Sequence, residues 1–128
     1  MKKRNPATVP APIGAYSHSI EVPPGARVLH VSGQVGIAAD GTAPAGITAQ
    51  TEMVFSNLMA ILADAGMGID DVVKFTAYLT DPADLPGYAA VRTRYLGDAR
   101  PCSTLVFVAA LVRPELCVEV ELVAARAD

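Results

Sequence analysis

The sequence predicts an α+β domain in which a mixed sheet carries two helices on one face. Three observations lead there. Segments of strand-like and helical period follow the order hairpin, helix, strand, helix, strand, strand. Strand segments such as Leu29 to Val31 and Thr104 to Val108 are apolar at successive positions, and therefore on both faces. Two helices can cover only one of those faces, so the other is expected to meet a second subunit.

Residues 1 to 12 are polar and contain Pro6, Pro10 and Pro12, the composition of a flexible N-terminal arm. Ile13-Gly14-Ala15-Tyr16 leads into a short strand, Ser17 to Val22. Pro23-Pro24-Gly25 then turns the chain into Arg27 to Gly33, and the two strands are expected to pair as a hairpin. In the second, Val28, His30 and Ser32 alternate with Leu29, Val31 and Gly33; both sets are largely uncharged, which predicts cover on both sides.

After the Asp40-Gly41 turn, a long helix is predicted from about Ile47 to Ala65. Ile47, Val54, Leu58, Ile61, Leu62 and Ala65 recur at steps of three and four, and Gly66 stops it. Asp70-Asp71 opens a strand, Val72 to Thr80, in which Val73, Phe75, Ala77 and Leu79 alternate with Val72, Lys74, Thr76 and Tyr78. Asp81-Pro82 ends that strand. A shorter helix from about Pro82 or Leu85 to Leu96 presents Leu85, Tyr88, Val91 and Tyr95 on one face, and Gly97-Asp98 closes it.

Two strands complete the pattern, Ser103 to Ala109 and Leu116 to Ala124. In the last, Val118, Val120 and Leu122 share one face while Cys117, Glu119 and Glu121 share the other. The two glutamates therefore fall on the uncovered face of the sheet.

At 128 residues the chain is one domain, with no need of a second. Apolar residues make up 52% and charged residues only 18%, which is rich for a small monomer and points to a homo-oligomer. A net charge of -3 with scattered Lys and Arg supplies no basic footprint for nucleic acid. Pro6, Pro10 and Pro12 interrupt the place where a signal peptide would need a continuous apolar run. The longest uncharged apolar run in the C-terminal half, between Arg100 and Arg113, is too short to span a bilayer. The expectation is a cytoplasmic protein with no membrane partner. Cys102 and Cys117, without a companion cluster, predict neither a disulfide framework nor a metal centre, and no cofactor is expected.

The motifs APIGAY at 11 to 16, VSGQVG at 31 to 36, ILADAG at the end of the long helix, VVKFTAYLTDPADL at 72 to 85, and the terminal RP…STLVFVAAL…VEVELVA resemble the Rid family, also called the YjgF or L-PSP family. The similarity runs from Ala11 through nearly the whole chain. It implies a single Rid-family domain with a chorismate-mutase-like fold, a mixed six-stranded sheet, and a homotrimer with sheets facing inward around three clefts between subunits. The C-terminal strand is implied to lie centrally, beside the strand bearing Ser32-Gly33-Gln34. The activity implied is deamination of small reactive enamines and imines, 2-imino acids becoming 2-oxo acids and ammonia. The cleft positions carry over to Tyr16, Ser32, Gly33 and Glu119.

The chain departs from the family pattern at the residue that holds the substrate carboxylate. Active deaminases carry Pro-Ala-Arg-Ser-Cys or a close variant; here Pro101-Cys102-Ser103-Thr104-Leu105 puts Ser103 at the arginine position and Leu105 at the cysteine position. The Val-Asn-x-x-Tyr pattern of the second helix reads Val91-Arg92-Thr93-Arg94-Tyr95. A buried carboxylate wants a fixed bidentate partner, which serine does not supply. Arg92 and Arg100 are the candidates to replace it. If neither enters the cleft, the alternative is a trimer that binds a small ligand and has lost deaminase activity.

Glu119 is the candidate general acid/base for water attack on a C=N carbon, against the plainer reading of an interface carboxylate. Glu121 reads first as an interface ion-pair or hydrogen-bonding group. Tyr16 either caps a cleft or anchors the first strand; Ser32-Gly33 marks either a ligand approach or a bulge. Cys102, Cys117, His18 and His30 read as structural, with Cys102 the exception to watch because Arg100 precedes it. The ribonuclease activity attached to the family by name finds no support in an acidic chain.

Overall fold

The computed structural model describes residues 1–128. Eight regular elements follow one another: β1 (Lys2–Arg4), β2 (Ser19–Glu21), β3 (Arg27–Val35), α1 (Ile47–Asp64), β4 (Val72–Leu79), α2 (Leu85–Leu96), β5 (Cys102–Phe107) and β6 (Val118–Arg126). Short 3-10 turns, Ile69–Asp71 and Pro82–Asp84, introduce β4 and α2.

The α+β expectation holds: β3, β6, β4 and β5 form one mixed sheet in that order, with β6 central. β6 runs antiparallel to both β3 and β4, whereas β4 and β5 are parallel. A parallel pair needs a crossover, and α2 is that crossover.

Both helices pack on one face. Val118, Val120, Leu122 and Ala124 of β6 and Phe75, Ala77 and Leu79 of β4 are buried beneath Val54, Phe55, Leu58 and Leu62 of α1. Phe55 is the hub, with ring centroids 5.7 Å from Phe75, 6.2 Å from Tyr88 and 5.3 Å from Tyr95. This is where most of the stabilising apolar burial lies.

A polar brace ties α1 to the start of β6. The Gln50 side chain, 1% exposed, donates to the carbonyls of Pro44 and Glu115 at 3.0 and 2.8 Å and accepts from the Cys117 amide at 2.9 Å. Each of these groups would be costly to leave unpaired inside the protein. Gly36 makes room for the brace, since a Cβ there would meet Gln50 at 2.8 Å.

The N-terminal third departs from expectation. β2 does not form a hairpin with the strand after Pro23-Pro24; it pairs antiparallel with β1, in the register Lys2↔Glu21, Lys3↔Ile20 and Arg4↔Ser19. Prolines 23 and 24 carry no amide hydrogen, so a ladder closing on that turn would lack donors beside it. The start of the chain is thus paired along Lys2–Arg4. Arg4 pairs with Glu21 at 2.5 Å, Asn5 Oδ1 accepts from the His18 amide at 2.8 Å, and the His18 ring meets the Pro10 carbonyl at 2.7 Å. The six strands are thus divided between a four-stranded sheet and a two-stranded ribbon.

Candidate functional site

The face of the sheet turned away from the helices carries the candidate site residues of β6 and β3, Glu119 and Ser32. Alternation along the strands places Glu119, Glu121 and Val123 of β6 there, with Lys74, Thr76 and Tyr78 of β4, Thr104 and Val106 of β5, and Val28, His30 and Ser32 of β3. Val28 is 52% exposed and Val106 41%. Cover on both faces of β3 is not provided by a single chain.

Glu119 and Gly33 meet. The β3 ladder is irregular between Val31 and Gln34, and a Cβ built on Gly33 would lie 2.8 Å from Glu119 Cδ and overlap its Oε1. The carboxylate therefore rests directly on the main chain, a position that only glycine permits. Glu119 takes part in none of the ion pairs of the chain. Its neighbour Glu121 is committed instead: the Tyr78 hydroxyl donates to Glu121 Oε1 at 2.7 Å. That bond first, then partial burial and the charges of Glu121 and Glu119, raises the Tyr78 pKa above the usual phenol value.

Ser32 lines a pocket of about 360 Å³ on this face, together with His30, Lys74, Thr76, Glu121 and Val123. Tyr16 and Ser103 line a second pocket, of about 460 Å³, at the β5 edge, which also includes His18, Lys74, Cys102 and Thr104. The loop carrying Tyr16 is pinned to the start of β5. Ser17, 3% exposed, donates its hydroxyl to the Arg100 carbonyl at 2.6 Å and its amide to the Pro101 carbonyl at 3.1 Å. The Tyr16 hydroxyl accepts from the Ile13 amide at 3.4 Å, and its ring stands edge-on to His18.

The two arginines considered as replacements at position 103 are occupied with main-chain carbonyls. Arg92 donates to the Ala15 carbonyl at 3.2 Å and is partly buried, and that burial lowers its pKa. Arg100 donates to the carbonyls of Gly97 and Ala99 at 2.9 and 2.8 Å, closing the end of α2. Neither lines either pocket. Ser103 lies in register with Phe75, and Leu105 packs against the core. Cys117 sits against Gln50, and burial raises its thiol pKa.

Of the positions carried over from the family resemblance, Gly33 and Glu119 lie together; Lys74, Thr76, Tyr78 and His30, which the sequence reading did not set among them, stand on the same face. The signal was present in the strand Val72 to Thr80, where these polar residues occupy the alternate positions to Phe75, Ala77 and Leu79.

Comparison with known proteins agrees with this architecture. The family described as Endoribonuclease L-PSP matches residues 6–126. A RutC family protein of Pyrococcus abyssi is 37% identical over 117 residues, covering 90% of this chain and 89% of the relative. The 2-iminobutanoate/2-iminopropanoate deaminase of Mus musculus is 33% identical over 90% of this chain and 84% of its own. Among solved structures, a Rid family protein of unknown function from Yersinia pestis superposes with a TM-score of 0.84 at 33% identity, covering 98% of both chains. RidA from an Antarctic Psychrobacter gives 0.73 at 33% identity, over 97% of this chain and 98% of that one. No helix of the chain is long and apolar enough to cross a membrane. By sequence along nearly its full length and by fold, the chain belongs to the Rid family, the group also called YjgF or L-PSP.

Proposed function

We propose that this protein is a cytoplasmic homotrimer that hydrolyses small reactive enamines or imines, 2-imino acids above all, in clefts where the open sheet faces of neighbouring copies meet. The observation that carries the reading is the Glu119 carboxylate, uncommitted to any ion pair and seated on the Gly33 main chain. Relatives named as imine deaminases in mouse and goat, at 33% and 32% identity, support the same chemistry.

In the proposed reaction, water adds to the C=N carbon while Glu119 takes its proton and passes it to the nitrogen. The resulting carbinolamine collapses: Glu119 relays the hydroxyl proton to the amino nitrogen, the C–N bond breaks as the C=O bond forms, and a 2-oxo acid and ammonia leave. Tyr16, Ser32, Ser103 and the main chain at Gly33 orient the substrate.

A second reading, a small-ligand-binding trimer without deaminase activity, is favoured by Ser103, whose hydroxyl offers no charge to a carboxylate. Ammonia release from freshly generated 2-iminopropanoate and 2-iminobutanoate separates the two. Turnover above buffer that falls at least about 100-fold in Glu119→Gln supports hydrolysis. Ligand-dependent melting shifts without turnover favour the binding module. A monomer in light scattering removes the cleft and both readings with it.

A further inference from the structure

Resting on the imine reading, the geometry points to Lys74 as the cation that receives the carboxylate of the substrate, in place of the arginine absent at position 103. Lys74 is the one residue that lines both pockets: the open-face pocket with Ser32 and Thr76, and the β5-edge pocket with Tyr16 and Ser103. It is exposed, and the five ion pairs of the chain leave it out. Its register partners, Val123 on β6 and Cys102 on β5, carry no formal charge that would engage it.

The surroundings suit a small anion. Ser32 and Thr76 offer hydroxyl donors on one side of the lysine, and Thr104 on the other. The one carboxylate in the open-face pocket, Glu121, already accepts from Tyr78. Glu119 is paired with Tyr78, four strand residues beyond Lys74, which places the two backbones roughly 13 Å apart. Glu119 lies outside both pockets, further along the same face, with its carboxylate turned onto Gly33. A 2-imino acid with its carboxylate at the ammonium directs its C=N end along this face toward Glu119. An ammonium is a point charge without the planar fork of a guanidinium, so it accepts the anion in more than one orientation. Tolerance of side-chain length follows, and the ligand class is a small 2-imino or 2-oxo monocarboxylate.

The test is calorimetric titration of the assembled protein with 2-oxopropanoate and with its uncharged amide, comparing native protein, Lys74→Met and Lys74→Arg. The native protein is expected to prefer the carboxylate. Lys74→Met should keep the native mass in light scattering, lose about tenfold or more of its carboxylate affinity, and leave amide affinity unchanged. Lys74→Arg should retain the preference. A Lys74→Met protein that still prefers the carboxylate overturns the assignment, as does one that dissociates, since the lysine would then be serving an ion pair between copies. Turnover of 2-iminopropanoate with unchanged KM in Lys74→Met overturns the lysine while hydrolysis stands. Native protein that neither binds the 2-oxo acid nor turns over the imine overturns both.

Discussion

The two faces of the sheet follow different rules, and β6 carries both. Val118, Val120, Leu122 and Ala124 are at most 2% exposed under the helices, whereas Glu119, Glu121 and Val123 between them are only half-buried. On the covered face, stability comes from apolar burial and shape. On the open face, each polar group is either committed to a partner, as Glu121 is to Tyr78, or free, as Glu119 and Lys74 are. One strand thus serves a core and a site because its side chains alternate.

The contrast makes the two faces separable by mutation. Leu58→Ala, at a fully buried position on α1, should cost about 2–5 kcal/mol in denaturant unfolding. Removal of a free open-face group such as Glu119 should change stability by less than about 1 kcal/mol, while the proposed deaminase turnover is lost. An equal loss from both faces would break the distinction.

Tyr88, on the buried side of α2, tests the covered face by pH. Burial, opposed by the nearby Arg92 guanidinium, pushes its phenol up to about 12. Between the ordinary phenol value near 10 and that value, the folded protein keeps a proton that the unfolded chain has released, so stability falls as pH rises. Two units at about 1.36 kcal/mol each give roughly 2–3 kcal/mol. Unfolding measured from pH 9 to 12 should show this slope in native protein and a shallower one in Tyr88→Phe.

The smallest effect belongs to the open face. Tyr78→Phe removes the hydrogen bond to Glu121, and on a half-exposed surface its expected cost is under about 1.5 kcal/mol. A larger loss, seen by thermal melting together with a change in light-scattering mass, would mean that the Tyr78–Glu121 pair supports contact between copies and would sharpen where the interface begins.

Much of this division was legible in the sequence. The alternation of Val118, Val120 and Leu122 with Glu119 and Glu121 is a local property of an extended chain, and it appears in the fold as written. The α1 period and the stop at Gly66 were equally readable, because helix faces and caps depend on residues three or four apart. The pairing of β1 with β2 was not. It joins Lys2–Arg4 to Ser19–Glu21 through an ion pair and side-chain bonds across an irregular loop, and nothing within either segment specifies the other. The commitments of Arg92 and Arg100 were hidden for the same reason. A long side chain near a site in sequence can still point at whichever carbonyl the folded loop presents.

The sequence by itself determined the α+β class, the order of helices and strands, and which residues of each strand share a face, because those follow from local periodicity. Only the tertiary structure decided that Gly33 lies beneath the Glu119 carboxylate, that Tyr78 engages Glu121, and that Lys74 stands between two pockets. These depend on the registers of β3 against β6 and of β4 against β6 and β5. Register across strands distant in sequence is set by packing of the whole core, which no single segment encodes.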